Sequence, residues 1–226
     1  MANNFDLQEQ EQLDELKHFW NTWGTPITWV LIIILGGFAA WNGYQLWQSR
    51  QAQQATALVE AVELAAQSGD LARVEQVFGD LKSGYGGTIQ AGQAGLLAAK
   101  ALADAGKWDA AKGVLAWVAD KASDEGYMAL ARLRLAGVLI EEKAYDEALA
   151  QLSARFPAEF AGAVADRKGD VLALQDKKQE AIAEYRRAYQ ALDAGIEYRR
   201  LVEAKLNALG AQVETVASAA AAGGAQ

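Results

Sequence analysis

The 226-residue chain contains no cysteine and one histidine, His18. Without cysteine there are no disulfides, thiolate metal sites or thiol nucleophiles. A single histidine excludes a multi-histidine metal centre, and it leaves everything beyond residue 18 without an imidazole base. Proline is almost absent too, with only Pro26 and Pro157, so little interrupts helix formation. Positive charge is the minority: 21 Lys and Arg face 29 Asp and Glu, for a net charge of −8. That balance argues against broad electrostatic binding of nucleic acid or anionic lipid. Charge of either sign is missing altogether between Lys17 and Arg50.

That uncharged stretch holds a long hydrophobic run. Ile27 to Leu46 reads ITWVLIIILGGFAAWNGYQL, and a helix of this length spans roughly 30 Å, the thickness of a bilayer hydrocarbon core. Trp20, Trp23 and Trp29 lie toward one end, and Trp41, Tyr44 and Trp47 toward the other. Indole and phenol rings favour the headgroup region, so the pattern predicts a transmembrane helix with two aromatic belts. Pro26 suits its first turn. A cleaved signal peptide would carry a basic leader. Here Asp6, Glu9, Glu11, Asp14 and Glu15 outnumber Lys17, so an uncleaved signal anchor is expected. Lys17 and Arg50 tie in the positive-inside count, and charge alone leaves the orientation open. Gly36, Ala39, Ala40 and Gly43 recur on one helix face, a candidate contact surface for a second membrane helix.

Beyond Arg50 the composition favours helix throughout, with Ala, Leu, Glu, Gln, Lys and Arg dominant. Residues 51–67 are expected to continue the membrane helix outward. Asp70 reads as the N-cap of a helix running to about Lys82, and Ser83–Gly87 as a loop. Three segments then align: GKWDAAKGVL (106–115), KAYDEALAQL (143–152) and DKKQEAIAEY (176–185). Each follows an Ala/Leu-rich helical stretch, so the unit is a helix–turn–helix repeating about every 34 residues. Small residues stand in the first helix (Ala99, Ala136, Gly169) and early in the second (Ala111, Ala148, Ala181). A bulky residue follows four later (Leu115, Leu152, Tyr185). The pattern resembles the tetratricopeptide repeat. The fold class expected is therefore all-α: one N-terminal transmembrane helix followed by a tetratricopeptide-like solenoid of helical hairpins. The expected organisation is an acidic tail (1–22), the membrane helix (23–48) and a helical extension serving as N-terminal cap (49–87). A repeat domain with a capping helix (88–210) and a disordered Ala/Gly tail (211–226) complete it.

Catalytic signatures do not emerge. The Gly84–Gly87 cluster lacks the context of a phosphate-binding loop. The carboxylates are interspersed with Lys and Arg and read as solvated faces. No catalytic residue, metal site, cofactor or small-molecule substrate is assigned, and the repeats point to protein recognition. By repeat position, the concave groove of the first helices is expected to present Gln93, Leu96, Lys100, Gly137, Ile140, Glu141, Asp166 and Asp170. No pair of repeats reads as a cluster of Lys and Arg.

The acidic tail with Phe19–Trp20, the Gly-rich span and the Gln–Ala stretch from Gln51 to Ala57 form one recognisable pattern with the degenerate repeats. Leu133–Ala136 and Ala165–Leu172 strengthen it. The whole is similar to the YfgM-type family, the ancillary subunits of the Sec translocon in the inner membrane of Gram-negative bacteria. The resemblance implies a cytoplasmic N-terminus, a periplasmic repeat domain, and association with SecYEG and with a PpiD-type membrane-anchored periplasmic chaperone. It also implies no enzymatic activity and a part in the handover of secretory proteins. The runner-up expectation is a regulatory membrane protein that relays a periplasmic signal through its N-terminal tail.

Overall fold

The structure, a computed structural model, describes residues 7–193 and 195–212. The chain forms two compact units that divide between Gln51 and Ala52. Nine α-helices lie among the described residues, and no strand does. The all-α class expected from composition is what the chain adopts.

The first unit is built from one helix, α1 (Leu7–Ser68), 62 residues long, whose last turns belong to the second unit. It is the one helix among the described residues long and apolar enough to cross a membrane. Val30 to Leu35 and Phe38 are each more than half exposed. That concentration of bare aliphatic surface is tolerable only in an apolar surrounding. The belt residues Trp20, Trp23, Trp29, Trp41, Tyr44 and Trp47 are exposed as well. Pro26 is not in a first turn: the helix begins at Leu7 and carries Pro26 in its interior. The polar residues ahead of it are good helix formers, and the ring removes only one i→i−4 bond. Thr28 and Asn42 turn their polar groups back onto the carbonyls of Gly24 (2.7 Å) and Phe38 (3.1 Å), which lets them sit in an apolar segment.

The second unit is a stack of hairpins. The last turns of α1 pair with α2 (Leu71–Tyr85), α3 (Ile89–Asp104) with α4 (Trp108–Lys121), and α5 (Glu125–Glu141) with α6 (Tyr145–Leu152). The fourth pair is α7 (Ala161–Leu174) with α8 (Lys178–Ala191), and α9 (Tyr198–Ala208) closes the end. Each hairpin turns on one residue in the left-handed region: Gly69, Gly106, Lys143 and Asp176, with φ of 72°, 74°, 61° and 60°. In each, the turn residue's N–H bonds the carbonyl three back, and the next N–H bonds the carbonyl five back. Gly106 N–H to Ala103 (2.9 Å) and Lys107 N–H to Leu102 (2.8 Å) are one such pair. This is a Schellman closure, which satisfies the last carbonyls of the first helix. Gly210 ends α9 in the same way.

Measured from the turn residue, the four hairpins share one packing register. Seven residues before it stand Val62, Ala99, Ala136 and Gly169; five after it, Val74, Ala111, Ala148 and Ala181; nine after it, Phe78, Leu115, Leu152 and Tyr185. All twelve are buried. The segment expected as an N-terminal cap is thus a fourth hairpin in phase with the other three. Val62 and Val74 stand where the others have Ala or Gly, so an alignment keyed to small residues passes over it. Helix α2 also runs past the expected loop start at Ser83, because the Ser83 hydroxyl bonds the Gly79 carbonyl (2.8 Å) and Tyr85 reaches Gln54 (3.1 Å). The first helices of adjacent hairpins pack on one another, α3 on α5 and α5 on α7, and so form a continuous layer. Ala211, placed by the sequence in a loose tail, is buried against the last hairpin beside Leu206. The remainder of that expected tail, from residue 213, lies outside the described residues.

Candidate interaction groove

Three of the first helices, α3, α5 and α7, together with Trp108 and Leu115 of α4, line a groove of about 460 Å³. Its wall is apolar: Ala99, Ala103, Leu115, Val138, Ile140 and Trp108. Trp108 is 44% exposed and extends this apolar wall. The charged lining residues are Lys100, Asp104, Arg134, Glu141 and Arg167. Lys100 and Asp104 pair with each other one helical turn apart. Arg134 donates one N–H to the Leu96 carbonyl at 3.2 Å, and Arg167 lies 3.9 Å from Asp170.

Four of the eight expected groove residues lie in this lining: Lys100, Gly137, Ile140 and Glu141. Gln93 is exposed on the first turns of α3 but outside it. Leu96 is buried in the core with Leu115, Leu135 and Leu139, because the neighbouring hairpin covers its face of α3. Asp166 and Asp170 are covered by α9 and face an internal partner. Asp166 is 1% exposed, and both its oxygens accept from Lys205 Nζ at 2.8 Å. Lys205 also reaches Asp170 at 2.7 Å, the Tyr185 hydroxyl donates to Asp170 at 2.9 Å, and the Tyr198 hydroxyl donates to Asp166. Burial, together with the carboxylate of Asp170, pushes the Tyr185 hydroxyl pKa well above the ordinary tyrosine range. Burial and the hydrogen bond to Asp166 do the same for Tyr198. At the repeat position of Asp166 the preceding hairpins carry Val59, Leu96 and Leu133, so at the end of the stack an ionic latch stands at this one position, beside the apolar packing of Val202 and Leu206.

Arg134, Arg167 and Trp108 are not among the expected groove residues; the two arginines and Lys100 supply the groove's positive charge, and Trp108 part of its apolar wall. A signal was present: Arg134 and Arg167 each stand nine residues before their turn residue. The equivalent position of the preceding hairpin is Leu97, which breaks the pattern where it would first be noticed. On α1, Gly36, Ala39, Ala40 and Gly43 are all exposed. A Cβ added at Gly36 or Gly43 would meet nothing within 4 Å.

Residues 17–211 match the tetratricopeptide repeat-like domain family, a stretch that takes in the apolar helix and every hairpin. The ancillary SecYEG translocon subunit of Neisseria gonorrhoeae is 36% identical over 207 residues, covering 90% of this chain and 98% of the relative. The chain belongs to the ancillary SecYEG translocon subunit family. Two further members of the family show more distant similarity. The Haemophilus influenzae subunit is 24% identical over 83% of this chain and 91% of its own length. That of Aggregatibacter actinomycetemcomitans is 25% identical over 91% and 99%. The matches run over 91–99% of each relative's length, so they take in the apolar helix and the repeats together.

Proposed function

We propose that the chain is an ancillary subunit of the SecYEG translocon that acts as a membrane-anchored interaction scaffold. It crosses the bacterial inner membrane once, with a cytoplasmic N-terminus and a periplasmic repeat domain. It holds a PpiD-type membrane-anchored chaperone beside the channel and assists the handover of emerging secretory proteins. One observation supports the scaffold reading: an open, apolar, charge-flanked groove lined by the first helices of three neighbouring hairpins. Groove contacts come from Lys100, Gly137, Ile140 and Glu141, joined by Trp108, Arg134 and Arg167. The small-residue face at Gly36, Ala39, Ala40 and Gly43 is the proposed contact with a membrane helix of the translocon.

Purification of the tagged full chain from membranes in mild detergent tests this. Translocon and chaperone components are expected in the eluate, and recovery of neither would sink the proposal. A regulatory role for the N-terminal segment rests on a separate observation: Leu13, Leu16 and Trp20 share one face of α1 and are all exposed. Deleting residues 2–16 separates the two readings. A scaffold keeps its partners, whereas a relay loses its cytoplasmic output.

A further inference from the structure

We infer that the groove takes a bipolar protein segment: a bulky apolar side chain seated over Gly137, a side-chain carboxylate at the Arg134–Arg167 end, and a basic residue at the Asp104–Glu141 end. The inference rests on the proposed reading of the groove as a partner site and adds the chemistry of what fills it.

The order of residues along the first helices sets the polarity. Arg134 and Arg167 stand nine residues before their turns, and Asp104 and Glu141 stand two before theirs. The two charged ends are thus about 10 Å apart along the helix axis. Between them α5 carries Gly137, where the flanking hairpins carry Lys100 and Asp170. An added Cβ at Gly137 would meet nothing within 4 Å, so the floor has a gap there, bordered by Val138 and Ile140. Helix geometry alone disfavours glycine at such a position. Its presence leaves room for a side chain from outside.

The cationic end is under-used. Among the described residues, no carboxylate lies within 4 Å of the Arg134 guanidinium, which makes one backbone hydrogen bond. The carboxylate nearest Arg167, Asp170, is already held by Lys205 and Tyr185. A neutral segment laid over these guanidinium groups would desolvate them without replacement, whereas a carboxylate restores charge-assisted hydrogen bonds. At the other end Asp104 is paired with Lys100, but Glu141 is exposed and no cation lies within 4 Å of it among the described residues, so the end keeps a net negative charge: a second acid there is repelled and a base is attracted. Charge at both ends favours a segment that runs through the groove, with its carboxylate on a side chain and not at a chain terminus.

The test uses the full chain in detergent and fluorescein-labelled 12-residue peptides with acetylated and amidated ends. Each has a central Leu-Leu flanked by Glu on one side and Lys on the other, in both orders. Controls replace Glu by Gln, swap the charges to Lys at both ends, or place a free C-terminal carboxylate where Glu stood. One of the two orders is expected to bind at least about tenfold tighter than its Gln control and to weaken with added salt. Arg134→Gln and Arg167→Gln are expected to weaken the Glu peptide and leave the Gln peptide unchanged. Gly137→Leu fills the gap and is expected to abolish binding while the thermal midpoint stays level or rises.

Equal binding of Glu and Gln peptides, tighter binding of the free-terminus peptide, or wild-type binding by Gly137→Leu would each overturn the inference. The same variants carried through the co-purification separate it from the scaffold reading. If Gly137→Leu loses the partner without any Glu/Gln discrimination, the groove stands and the proposed chemistry fails. If discrimination holds but the partner is retained, the chemistry stands and the groove is not that partner's site.

Discussion

Gly137 and Gly169 are the same residue in opposite surroundings, and the difference sets the sign of a substitution. At Gly137 a methyl group meets open space. Gly137→Ala is therefore expected to stabilise the fold by up to about 1 kcal/mol through helix propensity. At Gly169 the new Cβ would lie 2.5 Å from the Tyr185 ring, so Gly169→Ala is expected to destabilise by roughly 1–3 kcal/mol despite the same propensity gain. Thermal unfolding of the two variants followed by circular dichroism should move the midpoint in opposite directions. The pairing of Gly169 with Tyr185, where the two preceding hairpins pair Ala99 with Leu115 and Ala136 with Leu152, conserves volume at one repeat position. The same volume matching explains why the third repeat departs from its siblings at two places at once.

At the scale of elements, α9 is joined to the last hairpin by charge as well as by apolar contact. Lys205→Met leaves the buried Asp166 without its cation and is expected to cost roughly 3 kcal/mol. Adding Asp166→Leu, the residue found at the equivalent place in α3 and α5, is expected to recover most of that loss. An apolar pair of similar volume often does as well as a buried ion pair. Urea denaturation of the two variants checks this, and failure of the double variant to recover would show that the latch has no apolar equivalent. The tyrosines add a pH signature. Their folded pKa values lie above the unfolded one, so the unfolded chain releases their protons first as pH rises. Stability is then fully present below about pH 10 and falls above it, by up to about 1.4 kcal/mol per pH unit for the buried Tyr185. Tyr198 is more exposed and its share is smaller. Tyr185→Phe should flatten the alkaline fall in the thermal midpoint.

At the scale of the whole molecule, the stack of hairpins ties stability to nearest neighbours. The inner hairpins α3–α4 and α5–α6 have a partner on each side and share the largest core cluster. Helix α9, at the end of the stack, rests on the last hairpin through Val202 and Leu206 plus the latch. Hydrogen exchange is expected to show the slowest amides in α3 and α5 and progressively faster ones toward α9. Tyr185→Ala should loosen α8 and α9 and leave α2 to α4 protected. Uniform loss of protection along the domain would mean that it unfolds as a single unit.

The sequence by itself determined the class and the period. An uncharged 20-residue run edged by tryptophan, followed by small and large residues at hairpin spacing, allows one apolar helix and a stack of helical pairs. Those are local and periodic properties, so they are written along the chain. Neighbour relations across the stack were decided only in three dimensions. Asp166 and Asp170 looked like groove residues until α9, some 30 residues later, brought Lys205 and Tyr198 onto them. Leu96 looked available until the next hairpin covered it. The first hairpin hid behind Val62 and Val74, because its membership lies in the turn geometry at Gly69 and not in residue size. Arg134, Arg167 and Trp108 became groove residues when α4, α5 and α7 brought them to the groove that contains Gly137. Periodicity fixes which face of a helix a residue occupies, but only packing decides whether that face meets solvent, a partner or another part of the same chain.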